Sequence, residues 1–231
     1  MTAMDEPAAQ PPANRPQGVN GLPNEISLAF AEKLRVVLNS FLIGEGDAAR
    51  PLSAYTLHDL ISRQFPDVAV SKTHMYRLLS GDAIPRLDLI LAVAEICGIE
   101  PAYFLVDDLD IDDAERVGSR EVPGFDILLR DLVDSHDVAT APGEEPRRLT
   151  GYRLYQILTE RYPDVAVSKS HLYRLLSGET PPARRPSATI PRLDLIFAFA
   201  NIFDVSPAYF VDDRVGVKRS VSRLRRPPVP S

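Results

Sequence analysis

Cysteine is nearly missing from this chain: Cys97 is the only one. A lone thiol forms no internal disulfide and no cysteine metal cluster, which points to a buried side chain in a reducing compartment. No apolar run approaches the roughly 18 residues of a membrane span. Residues 1–10 have neither the basic nor the apolar region of a secretion signal, so the expected location is the cytoplasm. Histidine is scarce too. Of His58, His74, His136 and His171, the equivalent pair His74 and His171 have no Cys, second His or paired carboxylate at ligand spacing. Asp107–Asp108 and Asp212–Asp213 lack a third ligand in register and read as solvated acidic corners. A Gly-rich phosphate loop and a nucleophile elbow are both missing. The expectation is therefore a protein that is not an enzyme, with no metal, no cofactor and no recognisable site for a small-molecule ligand.

Basic charge is in short supply overall, with 26 Lys and Arg against 32 Asp and Glu. The deficit is local. Residues 109–147 hold 4 basic and 11 acidic side chains, whereas 148–213 hold 8 and 7, and 214–231 hold 6 and none. Binding to a polyanion depends on the face presented rather than on the sum, so the net charge of −6 is a weak veto.

What is present is a repeat. Val70-Ser-Lys-Thr-His-Met-Tyr-Arg-Leu-Leu-Ser-Gly81 returns as Val167-Ser-Lys-Ser-His-Leu-Tyr-Arg-Leu-Leu-Ser-Gly178. On a helical period Met75, Leu78 and Leu79 form one apolar stripe, and Lys72, Thr73, Tyr76, Arg77 and Ser80 fall on the other side. Ser71 stands at an N-cap and Gly81 at a stop, which predicts a short capped helix with one face for a core and one set with donors.

The surrounding pattern is repeated as well. Tyr55–Gly81 matches Tyr152–Gly178 at an offset of 97. Ile84-Pro-Arg-Leu-Asp-Leu-Ile90 matches Ile190–Ile196, and Pro101-Ala-Tyr-Phe104 matches Pro207–Phe210, both at an offset of 106. The difference, 106 − 97 = 9, measures an insertion in Glu179–Thr189 that carries Arg184 and Arg185. Each unit reads as a first helix (near Ile26–Leu42 in the first), a second capped by Ser53 and running through Tyr55, Leu57, Leu60 and Ile61, and the repeated third. A fourth follows through Leu87, Ile90, Leu91, Ala94 and Cys97 to Gly98, and a short closing turn or helix ends the unit. The chain divides into a Pro-rich tail (1–24), a first unit (25–108), an acidic linker (109–124), a second unit (125–213) and a basic tail (214–231).

On these residues each unit resembles the five-helix helix-turn-helix domain of the lambda-repressor and Cro superfamily. The likeness is closest to the EspR-like regulators of mycobacteria. The pieces that carry it are Ser71-x-x-x-Met75-Tyr-x-Leu78-x-Ser80-Gly81, Pro85, the Leu-rich fourth helix and Pro101-Ala-Tyr-Phe-x-x-Asp107-Asp108. The resemblance implies an all-α protein with two tandem heads that binds double-stranded DNA and regulates transcription or organises the nucleoid. By position it implies base reading by Lys72, Thr73 and Arg77, and by Lys169, Ser170 and Arg174. Phosphate contacts fall to Tyr76, Ser80 and Arg86, and to Tyr173, Ser177 and Arg192.

Two features depart from that pattern. The turn Gln64–Val70 is longer than in the phage repressors, and a second head stands where the EspR-like proteins have a dimerisation segment. Pairing is thus built into one chain as a pseudo-dimer, with a homodimer as the other possibility. A separate reading makes the first unit a protein-docking domain, since residues 51–108 hold 4 basic against 8 acidic side chains. Arg184 and Arg185, with Arg219, Arg223, Arg225 and Arg226 of the tail, are expected to clamp phosphates beside the groove. A flexible linker of about 16 residues spans roughly 20–25 Å as a coil and about 50 Å extended, enough for half-sites about 10–10.5 base pairs apart. It leaves direct and inverted arrangements equally open.

Overall fold

The computed structural model describes residues 22–43, 49–107, 109–112, 114, 124–138, 147–178 and 190–211. Helices dominate them. The first half runs α1 (Leu22–Ser40), β1 (Leu42–Ile43), β2 (Arg50–Pro51), α2 (Ala54–Gln64), α3 (Lys72–Ser80), α4 (Leu87–Cys97) and a 3-10 helix (Pro101–Phe104). The second half repeats the order as α5 (Phe125–Ser135), β3 (Asp137–Val138), β4 (Arg147–Arg148), α6 (Gly151–Arg161), α7 (Lys169–Ser177), α8 (Leu193–Phe203) and a 3-10 helix (Pro207–Val211). Among the described residues no helix is long and apolar enough to cross a membrane.

One cluster of buried side chains runs through both halves. In the first, Phe30 and Leu34 of α1 lie with Leu57, Ile61, Met75, Leu78 and Ile90, all at most 1% exposed. The closing 3-10 helix lids this core through Phe104, whose ring is 5.3 Å from that of Phe30. In the second, Phe125 of α5 meets Phe210 at 5.1 Å, and Leu154, Leu172, Leu175 and Phe199 fill the space beneath. Truncating any of these fully buried leucines to Ala costs about 2–5 kcal/mol, because the cavity left does not collapse fully. The thiol of Cys97 sits in the first half's part of this core, where burial pushes its pKa up to about 12 and keeps it protonated and inert.

Four expectations from sequence are corrected. The first helix begins at Leu22, inside the stretch read as tail, and ends at Ser40 rather than Leu42. Leu42 and Ile43 instead pair with Pro51 and Arg50 as a two-residue antiparallel ladder, and Asp137–Val138 with Arg147–Arg148 does the same in the second half. Ile111 and Ala114, in the stretch read as patternless linker, are buried, and the Ala114 carbonyl accepts from the Glu100 amide at 2.7 Å. Tyr55, read on the second helix with Leu57, Leu60 and Ile61, is 55% exposed where Leu57 and Ile61 are buried.

The halves meet at two pairs of like elements and at one unlike pair. Arg86 faces Arg192 across an antiparallel bridge. Its two hydrogen bonds run from the Leu87 amide to the Pro191 carbonyl, 3.0 Å, and from the Leu193 amide to the Pro85 carbonyl, 2.9 Å. The two closing 3-10 helices also pack against each other, and α1 packs against α8.

Candidate nucleic-acid interface

Local chemistry sets α3 and α7 alike. The Ser71 hydroxyl accepts from the His74 amide and the Ser168 hydroxyl from the His171 amide, both at 3.1 Å, satisfying first-turn donors that would otherwise be orphaned. Gly81 at φ 77° and Gly178 at φ 65° end the two helices in the left-handed region, where a side chain would be strained. Burial of Met75 and Leu78, and of Leu172 and Leu175, fixes which face turns inward. Lys72, Thr73, Tyr76, Arg77 and Ser80 are left exposed, as are Lys169, Ser170, Tyr173 and Ser177, with Arg174 half-buried.

The first lysine of each helix is anchored by an aromatic ring. Lys72 Nζ lies 4.2 Å from the ring centroid of Tyr55, and Lys169 Nζ lies 4.7 Å from that of Tyr152 and 6.0 Å from that of Tyr173. Such a contact restrains a long, entropy-rich side chain while leaving its charge available. Tyr55 and Tyr152 were missed as site residues in sequence. The available signal was spacing: two residues apart on a helix, Tyr55 and the buried Leu57 cannot share a face, and the same holds for Tyr152 and Leu154.

The paired arginines are held in opposite senses. Arg77 Nη2 donates to the Asp82 carbonyl at 3.0 Å, toward the turn after its helix. Arg174 Nε donates to the Ser170 carbonyl at 3.2 Å, back toward its helix start. The Ser80 hydroxyl donates to the Asp82 carboxylate at 2.6 Å, so an acidic group stands beside a residue expected at a phosphate. Ser177 donates to the Arg174 carbonyl at 3.3 Å.

Arg86 and Arg192 sit at the junction rather than on α3 and α7. Arg86 donates to both oxygens of Asp88, through Nε at 3.1 Å and through Nη2, and Arg192 Nη2 donates to Asp194 at 2.6 Å. Asp194 is 2% exposed, and burial pushes its carboxyl above the ordinary range against the pull of Arg192 and of the Leu195 amide. Arg184, Arg185, Arg219, Arg223, Arg225 and Arg226 lie outside the described residues.

A groove of about 1270 Å³ runs from α3 to the junction, lined by Ser71, His74, Arg77, Arg86 and Arg192 among others. Burial lowers the His74 pKa, and the charges of Arg77 and Arg86 lower it further, so the arginines supply the positive charge there at neutral pH. Among the described residues no group of three or more His, Cys, Asp or Glu could hold a metal ion. Compared with known proteins, the chain matches no family model, no curated protein and no solved structure.

Proposed function

We propose that each half is a helix-turn-helix head of the lambda-repressor type and that the protein binds double-stranded DNA, with α3 and α7 entering the major groove. The observation that carries this is a duplicated surface. Two helices of nine residues, capped at both ends by the same residue types, turn outward the same sequence of Lys, hydroxyl, Tyr and Arg. In each, the leading Lys is braced on a Tyr in the first turn of the preceding helix. A major groove about 12 Å wide admits one helix, and donors on its first turns meet the acceptors of guanine and adenine. Lys72, Thr73 and Arg77, with Lys169, Ser170 and Arg174, are the base readers. Tyr76, Ser80, Tyr173 and Ser177 flank them toward the backbone, joined by Tyr55 and Tyr152. Arg86 and Arg192 face the centre of the site.

A regulator of transcription or an organiser of the nucleoid, acting in the cytoplasm, fits this surface. A map of chromosomal occupancy distinguishes the two, since a regulator occupies a few operators and an organiser many sites. The direct test is selection of bound duplexes from a random-sequence pool by the full chain. Enrichment of a defined motif, lost in a Lys72→Ala/Lys169→Ala protein that retains its helical circular dichroism, is the expected result. A pool that stays random, with no retention of duplex at about 0.1 M salt, overturns the proposal.

A further inference from the structure

We infer that the two heads are docked as a built-in pseudo-two-fold pair, so that a single chain reads two inverted half-sites at one fixed spacing. The inference rests on the DNA-binding reading above and deepens it. A flexible linker would leave the orientation of the heads open; the junction does not.

The argument is one of symmetry. Pro85, Arg86 and Leu87 correspond to Pro191, Arg192 and Leu193 at the offset of 106 that relates the fourth helices. At the junction each residue meets its own counterpart or the mirror of its neighbour's contact. Arg86 opposes Arg192, the Leu87 amide reaches Pro191, and the Leu193 amide reaches Pro85. That reciprocity is the signature of an isologous contact, which a two-fold rotation generates and a translation does not. The two 3-10 helices, Pro101–Phe104 and Pro207–Val211, are also counterparts and also touch each other. Two separate pairs of like elements in contact relate the halves by a local rotation, and the contact of α1 with α8 lies outside that relation.

The groove beside α3 that Ser71, His74 and Arg77 line is also lined by Arg86 and by Arg192 of the second half, so the junction adjoins the exposed face of α3. Duplex DNA has local two-fold axes of its own, and a two-fold protein on it demands inverted half-sites. Both junction backbones are held by buried groups, with Pro85 and Pro191 buried and Asp194 locked under Arg192. A docked pair therefore tolerates one spacing, whereas a tether would tolerate a range.

The bridge has the geometry of a non-hydrogen-bonded antiparallel pair, in which opposite side chains are closest. The free chain supplies the first arm of the test. An Arg86→Cys/Arg192→Cys protein should form an intrachain disulfide on mild oxidation and run as a faster-migrating monomer, while each single variant should not; Cys97, buried, stays silent. The second arm uses duplexes built from the half-site recovered by selection, in one copy, in two inverted copies one turn apart, in two direct copies, and inverted with about five base pairs added. The expected result is a complex of one chain per inverted duplex, at least about tenfold tighter than on the direct or lengthened duplexes, with measurable binding to the single copy. Equal affinity for inverted and direct copies, or indifference to the added half-turn, overturns the inference while binding to the single copy leaves the DNA reading standing. Failure of the disulfide to form overturns the docked junction by itself. Loss of binding to every duplex removes the DNA reading and the inference with it.

Discussion

The guanidinium of Arg35 donates twice to the carbonyl of Leu79, through Nε at 3.0 Å and Nη2 at 2.6 Å. Arg130 does the same to Leu176, at 3.1 and 2.9 Å. In each half the first helix thus sets a positive charge on the last turn of the reading helix, where the helix dipole is negative. The contact also fixes the roll of the reading helix against the scaffold. Arg130→Ala is expected to cost about 1 kcal/mol of stability in denaturant unfolding, with Arg130→Lys recovering part of it through charge alone. No change in the midpoint would show that the contact contributes nothing.

Removal of the reading guanidinium in either head should act on specificity. Arg77→Ala or Arg174→Ala is expected to weaken the selected duplex by about 1–3 kcal/mol and to relax preference at one base position, with thermal stability nearly unchanged. The check is competition binding against duplexes altered one base pair at a time. Uniform weakening at every position would assign these arginines to the backbone instead.

Asp204 ends α8 at φ 52°, where its counterpart in the first half is Gly98 at φ 67°. A residue with a Cβ is strained in that region, although aspartate tolerates it better than most. Asp204→Gly should raise the unfolding free energy by about 0.5–1 kcal/mol, measured by urea titration. A loss of stability would mean that the Asp204 side chain makes a compensating contact.

Asp194 gives the junction a pH dependence. Its carboxyl has a raised pKa in the folded chain, because burial outweighs the pull of Arg192, so the folded state holds the proton more tightly than the unfolded state. The contribution to stability is therefore complete below the ordinary value of 3.8 and is lost as pH rises through the raised value. Relative to Asp194→Asn, whose residue cannot ionise, the parent should lose stability across that interval and run parallel above it. Unfolding curves at a series of pH values test this. A difference that stays constant, or one that grows in favour of the parent with rising pH, contradicts the sign.

Local rules carried most of what was legible in the sequence. Ser71 and Gly81, and Ser168 and Gly178, mark helix ends through single hydrogen bonds and single torsions, so they could be read without the fold. The inward face of α3 follows from the helical period of Met75 and Leu78. Tertiary contacts were not legible. Arg86 and Arg192 look like free cations in sequence, but each pairs with its own aspartate two residues on, and only the meeting of the two halves sets their backbones side by side. Tyr55 carries the hydrophobicity of a core residue, and its ring serves instead as a rest for Lys72. Ile111 and Ala114 have too little periodicity to mark a packed segment, yet both are buried.

Amide hydrogen exchange of the full chain with and without the selected duplex tests the central claim most directly, because it reports both heads in one experiment. Peptides covering Lys72–Ser80 and Lys169–Ser177 are expected to slow together at one equivalent of duplex, along with the segments around Tyr55 and Tyr152. Protection of α7 alone would contradict paired reading and leave the first, acidic half as a docking surface for a protein. Protection of neither reading helix in a chain that still binds duplex would contradict the whole assignment.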